Sequence, residues 1–415
     1  MTNEIHVRCC IAGGGPAGMM LGYLLGRAGI EAVVLEKHAD FLRDFRGDTV
    51  HPSTLRIMNE LGLLEDFLKL PHSKIRSLSA EIGERSFKIA EFGRLSPPGN
   101  FVALMPQWDF LNFLAQQARG FASLQIMMSA EVTGLIETDG RVVGVRAARQ
   151  GVPLEIRADL VVGCDGRAST VRAASGLAVE DLGSPIDVLW FRLTKKNTDP
   201  GQVAGHLGSD KMLVTIDRTD YWQCAFVIDK GGMERVRANG LEAFKAAVVD
   251  GARFLSDRVM ELKSFDDVKL LSVSVDRLTT WSKPGLLCIG DAAHAMSPIG
   301  GVGINLAVQD AVATANLLAA KLKAGTLRDE DLDAVRRRRL FPVKMIQGLQ
   351  VAIQNRILKP RVSGEAVELT VPWPLQVLNA SAWARRWPAQ LLGVGVRPEH
   401  VRSPQAAAAR SGPPQ

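Results

Sequence analysis

The 415-residue sequence predicts an α/β fold: a Rossmann-like domain interrupted by an antiparallel sheet and followed by a helical segment. Three observations carry this expectation. A strand, a glycine-rich turn and a helix stand near the N-terminus; a second strand, a carboxylate and another glycine turn stand near residue 290; short segments of alternating apolar and polar residues run between them. Hydrophobic residues make up 47% of the chain, enough for a large core, and the length allows two or three domains.

In the first unit "IHVRCCIA" reads as a buried strand, and "GGGPAG" sets Gly13, Gly15, Ala17 and Gly18 in a turn ahead of the helical stretch "MMLGYLLGRAG". Gly13 permits the turn, Gly15 lets the backbone approach a pyrophosphate, and Gly18 lets the helix lie close to the strand. The helix N-terminus faces the phosphates. The next apolar strand, "AVVLE", ends at Glu36, beside Lys37, where an acidic side chain can accept hydrogen bonds from ribose hydroxyls. Turn, strands and acid together predict a dinucleotide site. They do not choose between NAD and FAD.

The middle stretch "DLVVGCDGRASTVR" runs an apolar strand into Asp165, Arg167, Ser169 and Arg172. The late stretch "GLLCIG" is a third buried strand, followed by Asp291 and by the turn Pro298-Ile-Gly300-Gly301-Val-Gly303 before a long helix. Backbone amides freed at such a helix start suit a negatively charged ring. His294 reads as a hydrogen-bonded core histidine.

Between residues 176 and 267, "DVLWFRL", "KMLVTI" and "YWQCAFVI" alternate as antiparallel strands do. Tyr221 and Gln223 then share one face, with Trp222 and Cys224 on the other. Which face meets the cofactor is open at this point. Trp190, Arg192, Tyr221 and Gln223 are the candidates for a substrate pocket.

With the three motifs in this order, residues 5 to 355 resemble the single-component FAD-dependent aromatic hydroxylases of the para-hydroxybenzoate hydroxylase type. The resemblance implies FAD as cofactor, NADH or NADPH as co-substrate, and hydroxylation of an aromatic ring by oxygen through a C4a-hydroperoxyflavin. It implies that Asp165 and Arg172 lie beside the FAD pyrophosphate and that Asp291 holds the ribityl chain. Pro298 would face the flavin C4a edge, and Gly301, Gly303, Ile304 and Asn305 would belong to the segment that donates amides to the pyrimidine. Arg46 would reach the cofactor after the second strand, and Gln107 would open a helix near the ribityl chain. Members of the family commonly relay a substrate proton through tyrosines, but this chain has two, Tyr23 and Tyr221. Tyr221 or His206 then handles the proton, or the substrate needs no such help. No cluster of carboxylate-binding arginines is visible, which points to an apolar aromatic substrate. A second dinucleotide motif is missing too, so NAD(P)H is expected in a surface groove.

The expected division is a discontinuous FAD-binding domain (1–75, 101–175, 268–355), a substrate domain (76–100, 176–267), a C-terminal helical segment (356–402) and a disordered tail (403–415). Two other readings stay beside the hydroxylase: a reductase or halogenase of the same fold, and a non-catalytic protein that binds FAD or an aromatic ligand. The WxWxIP signature of such halogenases does not occur.

The net charge of +6 suits an acidic cofactor or substrate. Arg336 to Arg339 follow an acidic run and read as a solvated helix surface, and basic residues do not interleave with aromatics as a nucleic-acid platform requires. The five cysteines show neither zinc-site pairs nor a disulfide pattern, so buried thiols and no metal are expected. No apolar run is long enough to span a membrane, which gives a cytoplasmic expectation. Trp373, Trp383 and Trp387 with Arg385, Arg386 and Arg397 suit a membrane interface, helices packed over the FAD domain, or a dimer contact. A monomer or homodimer is expected.

Overall fold

The computed structural model describes residues 3–42, 49–83, 85–200, 204–208, 210–218, 220–362 and 373–406. Its main sheet orders the strands Ser282–Lys283, Leu286–Cys288, Val152–Gly163, Asn3–Ala12, Ala32–Leu35 and Leu124–Met127. The last five run parallel, with Cys9 opposite Leu160 and Ala32, and Val161 opposite Leu286. Cys10, Ile11, Val33, Val34, Val161, Val162 and Leu287 are completely buried. Their unbroken apolar runs are what a parallel sheet covered on both faces requires. Two long strands, Ala130–Thr138 and Arg141–Arg149, extend the sheet as an antiparallel hairpin on Val152–Gly163.

The helix Pro16–Arg27 packs between the helices Gln107–Ala118 and Gly303–Ala324, and the last of these packs on Asp329–Ile353. The stretch Ile299–Ala324 is long and apolar enough to cross a membrane by composition, but 83% of its most apolar window is buried inside the fold. It is a core helix.

A second sheet of seven strands orders Lys269–Leu271, Ile186–Thr194, Tyr221–Asp229, Met212–Asp217, Ala204–Leu207, Ser77–Ile82 and Arg85–Glu91. All neighbours are antiparallel except Ala204–Leu207 with Ser77–Ile82. The three alternating segments of the sequence are its central strands.

Residues 403–406, expected to belong to a disordered tail, are instead held on the first helix. The Ala406 amide donates to the Arg27 carbonyl at 2.9 Å, and Arg27 Nη2 donates to Gln405 Oε1 at 2.8 Å. Residues 407–415 lie outside the described residues.

Candidate active site

Three loops meet at the C-terminal ends of the parallel strands, and glycines let them touch. Gly13 has φ +107°, and a side chain there would put its Cβ 2.5 Å from the Cys164 carbonyl oxygen. A Cβ on Gly18 would lie 1.9 Å from the Gly13 oxygen, and one on Gly290 would lie 3.1 Å from the Ala17 Cβ. The first turn, the middle motif and the Gly290–Asp291 turn therefore form one cluster, in the crevice where open α/β sheets bind ligands.

Gly15 and Gly303 are different. A Cβ on Gly15 would find its nearest neighbour 4.0 Å away, and one on Gly303 would meet nothing within 4 Å. Gly15 precedes the helix Pro16–Arg27 and Gly303 begins Gly303–Ala324; neither helix start is capped by a side chain. Both leave first-turn amides free beside open space, which fits a pyrophosphate at one helix and an electron-rich ring at the other. The residues present fit FAD.

The polar side chains divide into those that build the cradle and those that face it. Glu36 accepts the Gly14 amide at 3.1 Å and the His38 amide at 3.0 Å, while Lys37 is exposed next to it. Asp165 accepts the Ser169 hydroxyl and, at 3.0 Å, the Val171 amide, and Ser169 caps the helix Thr170–Ser175 through the Arg172 amide. The Arg172 guanidinium binds Asp276 at 2.8 Å and the Arg167 carbonyl at 2.7 Å. Asp165 and Arg172 thus shape the turn with bonds inside the protein.

The arginine beside Asp291 is Arg167, whose Nε donates to Asp291 Oδ2 at 3.3 Å and Nη2 to the Met296 carbonyl at 3.2 Å. Its Nη1 is buried without a hydrogen-bond partner among the described residues, a vacancy that a polar cofactor atom would fill. Nothing in the sequence separates Arg167 from Arg172 as the residue that reaches Asp291. Its only sequence signal was its place in the polar run after the strand. Gln107 stands half-buried at the start of Gln107–Ala118, and Arg46 lies outside the described residues.

The loop from Pro298 to Asn305 is tied to residues 49–54. Asn305 is buried; its Oδ1 accepts the His51 amide at 2.8 Å and the Thr54 hydroxyl at 2.7 Å, and its Nδ2 donates to the Thr49 carbonyl at 3.2 Å. Thr49 Oγ1 donates to the Gly301 carbonyl at 2.6 Å. The His51 ring donates through Nδ1 to the Leu392 carbonyl at 2.9 Å and also hydrogen-bonds the Gly300 backbone. Burial pushes His51 down to about 4, against those two hydrogen bonds. Ile304 is buried in the core, whereas Pro298 is half-buried and Gly300 exposed. His51 and Thr49 had no reading in the sequence, because nothing local showed that they would meet a loop some 250 residues away.

The seven-stranded sheet settles which face is which. Leu189, Phe191, Trp222, Cys224 and Phe226 pack against Phe244 and Val248 of the helix Leu241–Gly251. The opposite face carries Ile186 and Val227, which cluster with Leu358 and against which Ile299, next to Pro298, packs together with Ile353 and Ile357, and then Val188, Trp190, Val214 and Ala225. Pairing places Trp190 opposite Ala225 and Arg192 opposite Gln223, so all four pocket candidates lie on this inner side. The Arg192 guanidinium sits over the Tyr221 ring at 5.1 Å, and Arg218 Nε donates to Gln223 Oε1 at 2.9 Å.

The two candidates for the proton relay lie on opposite faces of the sheet. His206 is opposite Leu213, on the outer face; its ring meets Phe254 and binds Glu81 at 2.7 Å and Thr215 at 3.0 Å. Its ring therefore lies on the helix-packed face of the sheet, opposite to the face that carries Val227. Tyr221 has the right face but lies six residues, roughly 20 Å along the strand, from Val227 at the Ile299 contact. Its place is the rim of the inner face. His294 donates through Nε2 to Asp310 at 2.6 Å with both side chains buried, as a core histidine should.

Residues 6–347 match the family described as FAD binding domain. The chain is 32% identical over 355 residues to 6-methylpretetramide 4-monooxygenase of Streptomyces rimosus, covering 85% of this chain and 84% of the relative. It is 25% identical to para-nitrophenol 4-monooxygenase of Pseudomonas sp. strain WBC-3, over 80% and 82%. Among solved structures, Pseudomonas aeruginosa PqsL in complex with 2-aminobenzoylacetate superposes with a TM-score of 0.73 at 22% identity, over 87% of this chain and 99% of that one. That likeness concerns the fold.

Proposed function

Since the chain belongs to the FAD-binding family of flavin-dependent monooxygenases, we propose that it hydroxylates an apolar aromatic compound held between the Pro298 loop and the inner face of the seven-stranded sheet. The observation that carries this is the apolar cluster of Ile186, Val227 and Leu358, against which Ile299 packs. It joins the cofactor loop to a sheet face that continues through Val188, Trp190, Val214 and Ala225. Two relatives bear on the substrate class by their names, which specify 6-methylpretetramide and para-nitrophenol.

Bound FAD supplies hydride acceptance from NAD(P)H and the activation of oxygen for transfer to the ring. The chain's residues do the rest. Amides at Gly15 and Ala17 would receive the pyrophosphate, with Glu36 at the ribose; Arg167 and Asp291 would take the ribityl side; amides from Val302 to Asn305 would stabilise negative charge on the ring, the Gly301 amide being held by the Pro298 carbonyl at 3.0 Å. Trp190, Val188 and Val214 exclude water above the loop, which protects oxygen transfer from loss as peroxide. A cleft of about 500 Å³ lined by Arg167, Ser169, Arg172 and Gly176 is the groove we assign to the nicotinamide nucleotide.

The test is NADH or NADPH oxidation by the purified FAD-loaded enzyme with oxygen present, across phenols, quinones and fused-ring aromatics, with peroxide assayed in parallel. Stimulation by an apolar aromatic with little peroxide supports the reading. Oxidation that no aromatic stimulates returns the protein to the ligand-binding or reductase alternatives.

A further inference from the structure

The C-terminal segment presents a surface that the oxygenase reaction does not use. The helices Trp373–Ala380 and Arg386–Ala389 pack on Arg85–Glu91, the edge strand of the seven-stranded sheet. Asn379 Oδ1 accepts the Lys88 amide at 3.3 Å, and Arg385 turns inward to bind Glu91 at 3.1 Å and the carbonyls of Leu378 and Asn379 at 3.0 Å. With the segment fixed in this way, its indoles point outward. Trp373, Trp383 and Trp387 are 74%, 69% and 66% exposed, and Val377 is 49% exposed. Tryptophan is normally among the well-buried residues, so three exposed within one short segment mark a contact surface.

Charge identifies the counterpart. Residues 373–398 contain no aspartate or glutamate. The strand and turn beneath add Arg85, Lys88 and Arg94 against the single acid Glu91, which already serves Arg385 and Arg94. With Arg385 and Arg386, five basic residues stand against one acidic residue. Indoles among cations, with hardly any anion, are the composition that settles at the headgroup level of an anionic bilayer. A second copy of the chain is a poor occupant, because a two-fold contact would bring this basic face against itself.

We propose that this face docks the enzyme on an anionic lipid surface, with Trp373, Trp383 and Trp387 entering the headgroup layer and Lys88 and Arg386 pairing with lipid phosphates. The inference is independent of the substrate reading.

The test is co-sedimentation of the FAD-loaded enzyme with vesicles of phosphatidylcholine alone and of phosphatidylcholine mixed with phosphatidylglycerol. Binding is expected to the mixed vesicles only. Combined W373S, W383S and W387S substitution should lower it by about tenfold or more, from the lost interfacial apolar area. Combined Lys88→Glu and Arg386→Glu should lower it by about fivefold or more per charge, as added salt also should. All these positions are exposed, so FAD content and unfolding midpoint should stay at wild-type values and separate lost docking from lost folding. No binding to either vesicle, equal binding to phosphatidylcholine alone, or undiminished binding by the tryptophan variant overturns the proposal. So does a dimer, seen by light scattering and abolished by the tryptophan variant, in a protein that ignores vesicles.

Discussion

Arg339 and Asp310 form an ion pair with Arg339 Nε 2.9 Å from Asp310 Oδ1 and neither side chain exposed to solvent. The other Asp310 oxygen accepts the Gly290 amide at 3.1 Å and His294 Nε2 at 2.6 Å. One buried carboxylate thus holds the residue before Asp291, while Glu399 closes on Arg338 at 2.7 Å and on Arg339 at 3.5 Å. Burial pushes the Asp310 carboxyl up, but His294 and Arg339 outweigh it and hold it below its ordinary value. Arg339→Met strands that charge and should cost about 3–5 kcal/mol in denaturant unfolding, together with FAD affinity. Arg338→Met, at a partly exposed position, should cost about 1 kcal/mol or less.

Gly15 and Gly18 should separate binding from folding. Gly15→Val fills open space in the apo protein, so FAD titration should show at least about a tenfold loss of affinity with the apo unfolding midpoint nearly unchanged. Gly18→Ala collides with the Gly13 backbone and should destabilise the apo protein by about 1–3 kcal/mol. Equal effects on affinity and stability in the two variants would remove the cradle from beside Gly15.

Arg167→Met should weaken FAD binding about tenfold to a hundredfold, the worth of a hydrogen bond from a charged donor, measured by recovery of flavin fluorescence on dilution. Arg167→Lys should restore little, since a single ammonium cannot serve Asp291, the Met296 carbonyl and a third acceptor in one plane. Wild-type affinity in Arg167→Met would show that Nη1 does not face the cofactor.

His51 gives the fold a pH dependence with a defined sign. Its folded value is lowered from 6.5 to about 4, so the unfolded chain binds more protons between these limits. Stability from this group is complete above pH 6.5 and is lost as pH falls toward 4, by about 3 kcal/mol in all. His51→Gln should flatten that part of the stability curve, as read from urea unfolding across the window. A slope that survives the substitution would assign it to another group.

Trp190 and Tyr221 should behave differently. Trp190→Ala opens the middle of the inner face and should raise the peroxide formed per NAD(P)H consumed. Tyr221→Phe should change kcat by less than about tenfold, whereas loss of a general acid or base would cost about a hundredfold or more. A larger fall in Tyr221→Phe would bring the tyrosine back to the reacting atoms.

The nucleotide half of the protein was readable because its signals are local. Gly13, Gly15 and Gly18 act within one turn, Glu36 ends the next strand, and Gly303 opens the helix that follows the Asp291 turn; each of these signals is carried by a short stretch of sequence, although the turns meet one another only in the fold. The inner sheet was readable only as alternation. Period two says that Tyr221 and Gln223 share a side and that Trp222 does not, but nothing in it says which side packs on helices.

The sequence by itself determined the α/β architecture, the FAD cradle and the order of its three loops, because glycine conformation, strand periodicity and helix-start amides are properties of short segments. Tertiary structure alone decided that Trp190 shares the sheet face of Val188 and Ala225 while His206 faces Phe254, that Arg167 takes the place beside Asp291, and that Thr49 and His51 clamp Gly300 and Gly301. The physical reason is that burial and pairing at these positions come from partners far away in the chain. A polar group's role is fixed only when packing has determined which of its possible partners it can reach.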